Sequence, residues 1–185
     1  MSLFEFLMVL VSLIIGLGIA ELLSGVAQTI RCRRDVRVYW VHSTLVVVVF
    51  LALLQQWWEI WGVRDMPAWT FPGLLMMIGP AIGLFLIAHL LFPDPVSGAD
   101  FRAYYYDEMR PALWLAVLTV ALAVSFRPLV SGTTLFAMDN ASSFLFIAIF
   151  LCLAYTRKPI VHSILVTLLL SGILADILLS SIEIR

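Results

Sequence analysis

The stretch Phe4–Ile30 constrains this chain more than any other: 27 residues with two acids and almost no other polarity. At about 1.5 Å per residue, a helix of that length crosses a bilayer with some tilt. Lipid offers its backbone no hydrogen bonds, so the segment satisfies itself as a helix. The run ends in Arg31-Cys32-Arg33-Arg34, and basic clusters beside a span stay on the cytoplasmic side. Gly25-Val26-Ala27 has the form of a leader cleavage site. However, no basic region precedes the apolar run, Glu5 stands where a Lys or Arg belongs, and the run is too long. The expectation is an uncleaved first span.

Further apolar runs at 39–61, 71–92, 111–126, 140–155 and 160–182 bring the count to six. The predicted fold is all-α, a polytopic membrane bundle forming one domain over residues 1–185. Mean hydropathy of +1.06 and a charged fraction of 12% leave no material for a soluble domain beside it. Net charge is −1 and the charges gather at the ends of the runs, which argues for a lipid bilayer as partner and against nucleic acid. Lys and Arg number eight on the first, third and fifth connections, while the other side holds three, Arg64, Arg127 and Arg185. That bias puts both termini outside. Cys32 and Cys152 then fall on the reducing side and stay unpaired.

Local signals fill in the connections. Trp57, Trp58 and Trp61 read as an interfacial belt. Gly79-Pro80 predicts a kink in the third span, because proline removes a backbone donor. In the polar segment 93–110, Ser97 is the expected cap of a short helix with Asp100 near its start, leaving Tyr104, Tyr105 and Tyr106 at the membrane surface. Asp139 is the expected cap of the fifth span.

The first span is uneven in cross-section. Ser12, Gly16, Ala20 and Ser24 form a small stripe at i,i+4 spacing, beside a second stripe of Gly18, Glu21, Gly25 and Gln28. Small stripes let helices approach closely in lipid, so this helix is expected at the centre of the bundle or at a subunit interface. The bulky arc of Met8, Val11, Ile15, Ile19, Leu22 and Val26 is expected to face lipid.

Among polar residues Glu21 stands out. By helical rise it lies on the order of 13 Å from the basic turn, where a carboxyl group marks an ion or proton path or clamps helices through His42 or Gln28. Glu59 and Asp176, with Gln55 and Gln56, would line a vestibule at the other end, so a path would run from them through Glu21 to the histidines. The plainer role for Glu59 is to reach the headgroups beside its tryptophans. His42, His89 and His162 share one depth, with Cys32 and Cys152 nearby, which suits a transition metal such as copper, or haem. Against this, no two of these ligands share a helix and the spacing matches no metal motif. No hydrolase or phosphate-loop motif is present in the sequence.

The pieces Trp57-Trp58-Glu59-Ile60-Trp61, Leu91-Phe92-Pro93-Asp94 and Phe101-Arg102-Ala103-Tyr104-Tyr105 resemble segments of small multipass proteins of bacterial inner membranes. The resemblance implies that location and brings no activity, cofactor or site residue with it. Three functions are expected from the residues. The first is a small channel or secondary transporter for protons, ions or a small solute, with Glu21 as its titrating group. The second is a non-catalytic subunit, assembly factor or sensor of a larger membrane complex. The third is a haem- or copper-binding redox protein. A bundle this small also suggests a homo-oligomer or a partner membrane subunit.

Overall fold

The computed structural model describes residues 3–62, 64, 70–131 and 140–182. Among these the protein is all-α, with helices α1 (Leu3–Arg31), α2 (Trp40–Trp61), α3 (Phe71–Leu90), α4 (Phe101–Asp107), α5 (Arg110–Ser131), α6 (Ala141–Tyr155) and α7 (Pro159–Ile182). Phe4–Arg31, Trp40–Trp61, Phe71–Leu90 and Pro159–Leu178 are long and apolar enough to cross a membrane. A fifth candidate is α4 taken together with α5, which meet at 61°; α6 is a shorter apolar helix. Among the described residues the protein therefore has four to five candidate spans.

The helices make a ring. α2 packs on α3, α3 on α5, α5 on α6, α6 on α7, and α7 returns to α2. α1 lies over the seam between α2 and α3, on the outside of that ring. It runs parallel to α3, since Gly18 meets Phe85, Glu21 meets His89 and Gly25 meets Phe92. Against α2 it runs antiparallel, through Phe4 with Trp61 and Ser12 with Trp57.

The expected orientation of α1 is corrected. Val11, Ile15 and Leu22 are buried, and Met8, Ile19 and Val26 pack against the core. Gly16, Ala20 and Ser24 are exposed instead, and a Cβ on Gly16 would meet nothing within 4 Å. The close approach is made by the second stripe. A Cβ on Gly18 would stand 3.0 Å from Leu53 and 3.5 Å from the Phe85 Cα, and one on Gly25 would strike the Phe92 ring. The seam between two helices is a groove that accepts bulky side chains, and glycines are needed only where backbone or ring comes nearest.

Other boundaries shift for local reasons. A turn at Val96–Ala99 with Gly98 at φ 78° separates Ser97 from the short helix, so Asp100 caps α4. Its carboxylate accepts from the amides of Arg102 at 2.9 Å and Ala103 at 3.2 Å. α5 continues past residue 126 to Ser131, and α3 is helical through Pro80. Asp139 lies outside the described residues, and Asn140 stands at the start of α6 without a side-chain capping bond.

Candidate functional site

Two ends of the ring differ in kind. At the end bearing Arg31–Arg37, backbone bonds tie Arg37 to Ala99 and Phe101, drawing α4 across the helix ends. Phe101, Tyr105, Met109, Leu91, His42 and His162 are all at most 2% exposed there. The His42 ring sits 4.8 Å from the Phe101 ring, and the Tyr105 ring is 5.3 Å from that of His162. His42 Nε2 lies 2.6 Å from the Leu91 carbonyl and His162 Nε2 lies 2.7 Å from the Thr156 carbonyl. A carbonyl only accepts, so each Nε2 carries the proton. With Nε2 protonated, Nδ1 of the neutral His162 ring accepts from the Tyr105 hydroxyl at 2.9 Å. The two imidazoles are thus hydrogen-bonding struts in an aromatic seal.

Toward the end bearing the tryptophans the ring surrounds a half-open cavity of about 950 Å³. By helical rise it runs about 21 Å along α2, from Glu59 down to Leu45. Its lower walls are apolar, with Leu84, Ile87, Leu91, Met109 and Leu113 above the seal. Its mouth is polar. Gln55, Gln56 and Glu59 reach it from α2, Asn140, Ser142 and Ser143 from the start of α6, and Asp176 from α7. Gln55 donates to Glu59 Oε1 at 3.2 Å, and the Ser142 hydroxyl bonds Asp176. Room for the cavity comes from α5, where Ala112, Ala116, Thr119 and Ala123 present small side chains at helical spacing. Pro80 also lines it; having no N–H, it leaves the Met76 carbonyl without its helical donor in the same wall.

Glu59, Asp176, Gln55 and Gln56 therefore share one cavity. Glu21 does not line it. Its carboxylate, with the side chain 40% exposed, accepts from His89 Nδ1 at 2.6 Å, so its partner is His89 and not His42 or Gln28. α1 overshoots α3 by about two turns, which brings Glu21 level with the end of its neighbour. Depth counted along α1 alone places it too far in. The three histidines go to three separate partners, and among the described residues no three of His, Cys, Asp or Glu gather as a metal site. His42, His89 and His162 therefore do not converge on one metal ion.

The sequence reading missed Asn140, Ser142, Ser143 and the small face of α5. The second had a signal: Ala112, Ala116, Thr119 and Ala123 repeat at spacings of four, three and four. Comparison with protein-family models, with characterised proteins and with solved structures finds no match to this chain.

Proposed function

We propose that this protein is a small secondary transporter, with the ring cavity as its solute site and Asp176 and Glu59 as its polar groups. The observation that carries the reading is the cavity itself: a deep apolar chamber with convergent polar side chains at one end, the usual form of a small-molecule site. Acids lining a cavity within a bundle serve substrate and ion pathways. The proton-titrating role expected for Glu21 is assigned here to Asp176, which faces the chamber. In this proposal the chain spans a bacterial inner membrane six times with both termini outside. The tryptophan end then opens outward, and the seal of Tyr105, His162, His42 and Phe101 closes the cytoplasmic side. Transport requires that seal to part.

Labelling a cavity thiol tests this. Ala116→Cys, in a Cys32→Ser, Cys152→Ser background, is exposed to a membrane-impermeant maleimide from each side of oriented vesicles. A transporter reacts from the tryptophan side and, as it cycles, from the arginine side. Reaction from the tryptophan side alone, under energised and de-energised conditions, would overturn the proposal. That outcome favours a second reading, a subunit or assembly factor. Its support is the open stripe of Gly16, Ala20 and Ser24 on α1, a face for a partner subunit or a second copy.

A further inference from the structure

We infer that the cavity takes a single-chain amphiphile, with its hydrocarbon chain directed at the seal and its polar head at the mouth. The inference rests on the transporter reading and adds to it the shape and polarity of the solute. Along α2 the cavity runs about 21 Å by helical rise, and its volume of about 950 Å³ is at the upper end for small-molecule sites. A compact solute leaves most of that length empty, whereas a long chain fills it.

The walls decide what the length is made of. Among the described residues lining the space between the mouth and the seal, Thr119 alone has a side-chain N–H or O–H group. Its hydroxyl already donates to the Leu115 carbonyl at 2.7 Å. The Met76 carbonyl, released by Pro80, adds one acceptor. A sugar, an amino acid or a hydrated ion placed there gives up several bonds to water and recovers one or two, at about 1–3 kcal/mol for each group left unpaired. A hydrocarbon chain has no such bonds to lose. Met76 and Met77, unbranched and polarizable, adapt the wall of α3 to its bends. At the mouth, Gln55, Gln56, Ser142 and Ser143 supply amides and hydroxyls. Both kinds of group donate and accept, so they serve a hydroxyl head whatever the ionisation of the acids beside them. One chain rather than two suits a transported solute, because a single chain holds to a bilayer only reversibly.

The test uses two photoreactive hexadecanols, one with a diazirine at the far end of the chain and one with it beside the hydroxyl. The full chain is irradiated with each in lipid nanodiscs, and the labelled residues are mapped by peptide mass spectrometry. The chain-end probe is expected on Leu91, Met109 or Leu113, and the head-side probe on Gln55, Gln56 or Ser143. Excess unlabelled hexadecanol removes both. Ala116→Trp, which fills the chamber, loses them while labelling of perimeter residues such as Leu13 and Leu17 stays as it was. Should that variant fail to fold, the wild-type map and its competition decide the matter without it. A reversed map, or labels confined to the perimeter, overturns the inference. So does a cavity labelled by a phospholipid with a chain-end diazirine and not by hexadecanol, which makes the occupant a bilayer lipid. In each of these cases the two-sided labelling of Ala116→Cys decides the transporter reading on its own.

Discussion

His162 owes its position to two bonds of different kind. The Thr156 carbonyl takes the Nε2 proton, and the Tyr105 hydroxyl serves Nδ1, all within a site where the ring is 2% exposed. Tyr105→Phe keeps the ring packing against His162 and Tyr39 but leaves Nδ1 without its donor. An unsatisfied buried acceptor costs about 1–3 kcal/mol. The variant is therefore expected to unfold several degrees below the wild type in mild detergent, while Tyr155→Phe, whose residue is exposed, stays within a degree or so of it. Equal midpoints for the two variants would show that the strut does not hold the seal. At this scale the sequence was informative where a polar residue interrupts an apolar run, as Gln55, Gln56, Glu59 and Asp176 do. It misled for Glu21, whose depth depends on how far α1 overshoots α3, and a single chain pattern contains no information about a neighbour's end. Asn140 and Ser142 escaped notice because polar residues at a helix start ordinarily serve the backbone.

For whole elements, six apolar runs are visible because lipid demands long uninterrupted helices, and α4 was visible only through its capping residues. The facing of α1 was not visible. The rule that small residues pack inward holds where backbones come close, and on α1 that condition is met by Gly18 and Gly25 but not by Gly16. A close approach of this kind on the ring is that between α3 and α5, where a Cβ on Gly83 would strike the Thr119 hydroxyl and come within 3.0 Å of its Cβ. Thr119 is held in that place by its bond to the Leu115 carbonyl at 2.7 Å. Overpacking of this sort costs about 1–3 kcal/mol. Gly83→Ala is expected to lower the thermal midpoint in detergent and Gly16→Ala to leave it within experimental scatter. Thr119→Ala should relieve Gly83→Ala, so the double variant is more stable than the sum of the singles. Additive losses, or a neutral Gly83→Ala, would remove this contact as the fixed point between α3 and α5.

Taken as a whole, the described residues put an aromatic and basic cover at one end of the ring and polar cavity-lining side chains toward the other, and α6 contributes to the second. Its 15 residues span only about 22 Å, against about 30 Å of hydrocarbon. Asn140 at its start is 8% exposed among its neighbours, and it lines the cavity together with Glu59. At the opposite end the tie between Arg37 and α4 covers the helix ends with arginines and aromatic rings. Basic residues beside spans resist translocation, so this covered end belongs in the cytoplasm under the proposed topology. Cys32 lies in the turn after α1 at that end, and Arg64 lies just past α2 at the other. In intact cells a membrane-impermeant maleimide is expected to leave Cys32 unlabelled until the membrane is permeabilised. A thiol at Arg64→Cys, with Cys32 and Cys152 changed to serine, labels at once in intact cells. Cys152 is a weak reporter, because it lies within α6 and its exposed surface faces the apolar perimeter. The reverse pattern at Cys32 and Arg64→Cys would turn the protein over in the membrane, with the mouth toward the cytoplasm. Under the proposed transport role the same chamber would then draw its solute from inside the cell, so the direction of this labelling sets the compartment that the cavity faces in that proposal.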